Sequence, residues 1–256
     1  MNNKQHVLIT GGAKGIGEAC VRLFLRDGYK VSFLDTDEKS GNELMAELGD
    51  SSFFMPCDVS KTEAVKNCFK QAIQKFGQLD VLVNNVGVNI YASVTDTSDE
   101  LWDHMMNVNL KSHFICSREA IPSMLKKGKG VVIIVTSVQA YISQQNVAAY
   151  TTTKSALLGL TRSIAVDYSP EIRSLAICPG TIDTPMLQTA IQESPDPQAV
   201  LDECNEMHLS KRVGTANEVA ELIVFACSGK VDFMTGQSIR IDGGLGISIG
   251  GSKREE

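Results

Sequence analysis

Tyr150 and Lys154 stand four residues apart at the head of a long stretch rich in Ala and Leu. On a helix that spacing puts both side chains on one face about a turn apart, so the Lys154 ammonium can approach the Tyr150 phenol. A cation beside a phenol favours phenolate and lowers a pKa that starts near 10. The pair therefore predicts a general acid and base usable near neutral pH. Y-x-x-x-K is common by chance, and its weight comes from its surroundings. Ser137 ends the predicted strand Val131–Thr136, which sets its hydroxyl at the carboxyl edge of a sheet, where open α/β folds bind ligands.

A second constellation lies near the N-terminus, in Thr10-Gly11-Gly12-Ala13-Lys14-Gly15-Ile16-Gly17. Glycine allows positive φ and close backbone approach, so a strand–turn–helix junction of this kind sets a pyrophosphate against the positive end of a helix. The pattern G-x-x-x-G-x-G departs from the usual dinucleotide fingerprint and gains its meaning from context. Asp35 closes the second predicted strand twenty positions after Gly15, where an acidic residue accepts the ribose hydroxyls of a bound dinucleotide. A carboxylate there repels a 2′-phosphate, so NAD is expected in preference to NADP. Lys14 pulls mildly the other way as a cation beside the turn, unless it is simply a solvated surface lysine.

The elements that would position these residues are legible as short apolar runs: His6–Ile9, Lys30–Leu34, Ser52–Pro56, Leu79–Val83, Val131–Thr136, Arg173–Cys178 and Gln237–Ile241. In most of them both alternate positions are apolar, the pattern of strands buried on both faces. Between them lie stretches of helical period such as Gly15–Arg26 and Thr62–Phe76. Strand alternating with helix predicts an α/β fold, a doubly wound parallel seven-stranded sheet with helices on both faces. No repeat or linker marks a boundary, so residues 1–256 are expected to form a single domain. The segment from about 181 to 210, with prolines at 185, 195 and 197, interrupts the rhythm. It follows a strand's carboxyl end, where it would border a ligand.

Composition bounds the rest. The chain has 256 residues, 43% hydrophobic and 21% charged, with a net charge of −6, an ordinary globular balance. Its basic residues form no stripe that would neutralise phosphates, which argues against a nucleic-acid partner. No apolar run approaches the roughly 18 residues of a membrane span, and the N-terminus shows no signal region, so no membrane partner and a cytoplasmic address are expected. Seven scattered cysteines without a C-x-x-C pair read as reduced, buried small hydrophobes. The four histidines have no ligand spacing, so no metal is expected. Trp102 and the Met105–Met106 pair read as packing.

With these residues in hand, the chain resembles the short single-domain branch of the short-chain dehydrogenase/reductase family. The likeness runs from Thr10 to Gly244 and includes Asp58-Val59, Asn84-Asn85-Val86-Gly87, Val108-Asn109-Leu110, Pro179-Gly180 with Thr184, and Thr235-Gly236 leading to Asp242-Gly243-Gly244. The resemblance implies a Rossmann fold and reversible hydride transfer between a nicotinamide cofactor and a carbinol carbon. It implies Tyr150 as proton donor and acceptor, and Ser137 as hydrogen-bond partner of the substrate oxygen. Lys154 would bind the nicotinamide ribose and lower the tyrosine pKa, and Asn109 would hold a proton relay. Asp58 and Val59 would meet the adenine, Asn85 and Gly87 the ribose, and Pro179, Gly180, Ile182 and Thr184 the nicotinamide, while Gly11, Lys14, Gly15, Ile16, Gly17 and Asp35 form the nucleotide turn. Val86 stands where the family usually has Ala, and Leu175 where Asn commonly precedes the Pro-Gly strand end.

Asn89, Gln139, Tyr141, Gln145, Asn146 and Thr181 are expected to face the substrate. This is a polar set, and buried unpaired amides penalise an apolar ligand. The segments around them are similar to those of NAD-using aldose dehydrogenases in the family, which implies a sugar or polyol substrate. The same amides could instead satisfy loop backbone groups. The alternatives are a hydroxysteroid-type dehydrogenase, a 3-oxoacyl thioester reductase, and, in another class, an NAD-binding sensor without turnover. The stretches Leu101–Leu125 and Val147–Asp167 carry small or apolar residues on more than one face. In the family the equivalent helices join subunits, so a homotetramer or dimer is expected. The tail, residues 245–256, would either fray or reach a neighbouring active site.

Overall fold

Because successive strand residues face opposite ways, a strand apolar at both parities must be covered twice. In the computed structural model, which describes residues 4–247, the seven apolar runs are the strands of one sheet. They are β1 (His6–Thr10), β2 (Lys30–Asp35), β3 (Ser52–Pro56), β4 (Val81–Asn84), β5 (Gly130–Val135), β6 (Ile172–Pro179) and β9 (Ser238–Ile241). Their order is β3-β2-β1-β4-β5-β6-β9, with every neighbouring pair parallel. The remaining strands, β7 (Ile182–Asp183) and β8 (Gly214–Thr215), pair with each other.

The two parities of each strand belong to two different cores. Val7, Ile9, Val31, Phe33, Val81 and Val83 pack with α1 (Gly15–Arg26), α2 (Glu38–Leu48) and α9 (Ala216–Cys227). Leu8, Leu34, Leu82, Val132 and Ile134 pack with α3 (Thr62–Phe76), α5 (Ser112–Lys127) and α6 (Ala148–Tyr168). All seven cysteines are free and buried, five of them within these two cores, and Leu175 is fully buried in the first core. After β3 the chain crosses back to the far side of β1, and the reversal opens a crevice outside the carboxyl ends of the central strands.

Three expectations need correction. The stretch Leu101–Leu125 is α4 (Asp99–Met106), one π-helical turn over Asn107–Lys111, and then α5. A π turn of this kind re-aims a helix locally. Trp102 is 36% exposed and belongs to neither buried core, so it packs only in part. The 181–210 segment contains α7 (Pro185–Gln192) and α8 (Pro197–Met207), and two of its prolines open these helices. Proline suits that position because its missing N–H has no partner there anyway. Of the tail, Leu245–Ile247 form a single 3-10 turn, and the proposed reach of residues 248–256 lies outside the described residues.

Candidate active site

Ser137, Tyr150, Lys154 and Asn109 come from three elements that meet at the carboxyl edge of the sheet. Ser137 follows β5, and its Oγ accepts a hydrogen bond from Gln139 N at 3.1 Å, closing the 3-10 turn Val138–Ala140. Helix α6 brings Tyr150 and Lys154. Its position is fixed by Thr136 Oγ1, which donates to the Lys154 carbonyl at 2.8 Å. Lys154 is nearly fully buried, with Nζ 5.5 Å from the Tyr150 ring centre and donating to Val135 O at 3.2 Å. Asn109 sits in the π turn, fully buried.

The electrostatics depart from the expected depression of the Tyr150 pKa. Burial pushes the phenol up to about 12, with the Ser137 hydrogen bond pulling down and the nearby Tyr91 adding to the rise. Burial also lowers Lys154 to about 8, opposed by Cys178. At about 8 the Lys154 amine is still mainly an ammonium at neutral pH, and it donates to the Val135 carbonyl.

The glycine turn has the geometry of a cradle. Gly11 and Gly15 have φ of +66° and +56°, conformations that L side chains rarely adopt. A Cβ on Gly17 would stand 1.8 Å from the Gly11 carbonyl oxygen, so the first turn of α1 lies directly on the loop backbone. Ile16 packs against the first core. Asp35 braces the turn from β2, accepting from Ala13 N and from Asp37 N, each at 3.0 Å. Asn85 Nδ2 donates to the Thr10 and Gly11 carbonyls at 3.2 and 3.1 Å. A Cβ on Gly15 would lie 3.3 Å from Thr184 Cγ2 and 3.6 Å from Pro185 Cδ, which sets the chain just after β7 against the same turn, while Gly180, after β6, packs on Asp242 and His208. Asp58 is exposed after β3, its carboxylate accepting from Ser60 N at 2.9 Å, and Val59 is buried. Lys14 is held at 2.5 Å by Asp37. Open glycine backbone at a helix N-terminus with a carboxylate at the end of β2 fits a dinucleotide.

The residues expected to face the substrate are only partly gathered. Gln139 is half-buried, and its amide donates to Gln144 Oε1 at 3.1 Å, while Gln145 is exposed. Asn146 adopts φ of +60°, and its carbonyl accepts from Ala92 N at 2.7 Å, joining the segment before α6 to the loop after β4. Asn89 Oδ1 in that loop is buried without a partner. Thr181 stands apart, its N–H donating to His208 Nε2 at 3.2 Å. The Tyr141 hydroxyl is taken up by Ser238. Residue reasoning missed Tyr91, close enough to influence the Tyr150 phenol, and no local pattern announces it. It also missed Asp37, although the charge beside Asp35 was visible in Asp35-Thr36-Asp37.

Among the described residues no group of three or more His, Cys, Asp or Glu is placed to hold a metal ion, and no helix is long and apolar enough to cross a membrane. A family model described as enoyl-(acyl carrier protein) reductase matches residues 11–246. An uncharacterized oxidoreductase of Thermotoga maritima is 39% identical over 242 residues, covering 93% of this chain and 96% of the relative. Dehydrogenase/reductase SDR family member 6 of Xenopus laevis is 35% identical over 243 residues, covering 94% and 97%. The ligand-free aldohexose dehydrogenase of Thermoplasma acidophilum superposes with a TM-score of 0.91 at 33% identity, covering 99% of this chain and 98% of that one. The chain belongs to the short-chain dehydrogenase/reductase family and is an oxidoreductase acting on CH–OH groups.

Proposed function

We propose that the protein is an NAD-dependent dehydrogenase of a sugar or polyol, interconverting a secondary alcohol or hemiacetal with the corresponding carbonyl. The observation that carries this reading is the Asn89 side-chain oxygen in the loop after β4, buried with no hydrogen-bond partner, in the same loop as Tyr91, which influences the Tyr150 phenol. An unpaired buried amide oxygen such as Asn89 Oδ1 favours a ligand that brings hydroxyl donors and penalises a steroid. The resemblance to an aldohexose dehydrogenase supports the same substrate class.

NAD would lie along Gly11, Gly15, Ile16 and Gly17, with its ribose hydroxyls on Asp35, its adenine beside Asp58 and Val59, and its nicotinamide end near Asn85, Gly87, Pro179, Gly180, Ile182 and Thr184. When bound, the nicotinamide supplies hydride acceptor and donor chemistry. Tyr150, protonated at neutral pH, donates its proton to the carbonyl oxygen in reduction; in oxidation it first releases that proton to solvent and, as phenolate, takes the alcohol's proton. Ser137 holds that oxygen, and Lys154 steadies the ribose while the proton moves. Asn109 keeps the loop after β4 in place through Val88, whose N–H and carbonyl both bond its amide at 2.8 Å. Asp35 and Asp37 surround Lys14 with negative charge and disfavour a 2′-phosphate. Exposed Phe114 on α5 and Val166 on α6 favour assembly into a dimer or homotetramer.

The test is NAD reduction across aldoses, polyols, hydroxysteroids and hydroxyacyl thioesters, with the oligomer's mass read by light scattering in the same preparation. A sugar or polyol is expected to turn over, and Tyr150→Phe to lower kcat at least about 100-fold. Turnover of a steroid or thioester with none of the sugars overturns the substrate class.

A further inference from the structure

The segment after β4 is fastened to the next helix by a ladder of buried side chains. Asn84 Nδ2 donates to Ser117 Oγ at 3.0 Å, His113 Nε2 bonds the Val86 carbonyl at 2.9 Å, and Asn109 bonds both the N–H and the carbonyl of Val88. The helical partners are four residues apart and rise about 6 Å per step. The extended partners are two apart and rise about 6.6 Å. The two periods match closely enough for three rungs in a row. Between the rungs, Asn85 reaches the glycine turn, and a Cβ on Gly87 would lie 3.2 Å from Lys154 Nζ and 3.7 Å from Asn109 Oδ1.

His113 is the middle rung and is 1% exposed. The Val86 carbonyl can only accept, so Nε2 carries the hydrogen, and Nδ1 is left buried without a partner. Burial and the neighbouring Lys154 both keep the ring neutral, with its pKa lowered to about 3. A side chain in this setting holds one hydrogen bond in one tautomer throughout the working pH range.

We propose that His113 is a positioning residue for the dinucleotide: its bond to the Val86 carbonyl fixes the Val86–Gly87 turn against Lys154, and through that turn it sets cofactor affinity. The proposal rests on the reading that NAD lies along this turn. It makes no use of contact between His113 and the cofactor. Glutamine places its amide nitrogen near the position of Nε2 and can keep the bond, whereas asparagine is too short and leucine has no donor.

The experiment is calorimetric titration of NAD into the full-length wild type, His113→Gln, His113→Asn and His113→Leu, with hydrogen exchange at the Val88 amide read on the same proteins. The Gln variant is expected to bind within about threefold of wild type. Asn and Leu are expected to weaken binding about tenfold or more and to speed exchange at Val88, with KM for NAD rising more than kcat falls. The Asn–Gln pair carries the comparison should the Leu variant fail to fold. Wild-type affinity in the Asn variant, or equal losses in Gln and Asn, overturns the role of His113. Failure of the wild type to bind any nicotinamide dinucleotide overturns the cofactor reading itself, and the proposal with it.

Discussion

Lys14 beside Asp37 shows how a single contact can reverse what a residue type suggests. A lysine in the phosphate turn invites a 2′-phosphate, but its ammonium lies 2.5 Å from Asp37 Oδ2. Asp37 is itself held by the Ser40 N–H and hydroxyl as the N-cap of α2. The Lys14 hydrogen bond is the largest cause holding the Asp37 carboxyl down to about 2, so the pair is fully ionised at neutral pH. Asp37→Asn keeps the cap and releases the lysine. NADP affinity is expected to rise about fivefold, and Lys14→Ala in the same chain to abolish the gain. NADP titration reads both, and an unchanged affinity in Asp37→Asn would mean that Asp37 does not restrain Lys14. The Tyr150–Lys154 spacing was legible in the sequence, but its electrostatics were not. Spacing says that two groups share a helix face, while desolvation depends on everything packed around them.

Among the elements, α1 and its turn behave as one body. A Cβ on Gly17 would meet the Gly11 carbonyl at 1.8 Å, a backbone atom that cannot swing aside. Gly17→Ala is therefore expected to cost about 3 kcal/mol in urea unfolding and to remove dinucleotide binding, because α1 must back away from the loop. Retained binding would show that the helix is free to shift. Sheet strands and α1 were readable from sequence because two-sided burial leaves a mark at every residue, and Gly15–Arg26 was bounded correctly. The π turn at Asn107–Lys111 was not readable. Its residues look helical in period, and the register change lies in the backbone hydrogen bonds of the helix, which leave no mark on residue type. Prolines 185 and 197 looked like breaks in the pattern because proline ends a helix as readily as it opens one. The polar residues chosen for the substrate wall scattered for a related reason: position after a strand says which loop carries a side chain, not where it points.

Across the whole molecule, buried neutral histidines link stability to pH. His6 donates its N–H to Asp80 at 2.7 Å and places its ring between Gly77 O and Ser32 Oγ at the foot of the sheet. Burial lowers its pKa to about 4, opposed by the Gly77 carbonyl and Asp80, and His113 is lowered further, to about 3. In the unfolded chain both titrate near 6.5, so below that pH the unfolded state takes up protons that the folded state refuses. Stability is complete above about pH 6.5 and falls as the pH drops toward 4, by about 2 kcal/mol per histidine at pH 5. The urea midpoint is expected to fall between pH 7.5 and pH 5, and to fall less in His6→Leu. Equal slopes would remove His6 from the account.

The small pair β7–β8 has a consequence of another kind. Ile182 lies beside Gly214 and Asp183 beside Thr215, and the Gly214 N–H bonds the Thr181 carbonyl at 2.9 Å. The entry and exit of segment 184–213 are thus stitched side by side, about one strand spacing apart. Loop closure is met at the base, not along the segment, so its length and helix content are free to vary at little entropic cost. Between Thr184, which touches the nucleotide turn, and His208, which bonds Thr181, the stretch holding α7 and α8 can change in length while its two ends stay where the β7–β8 pair holds them.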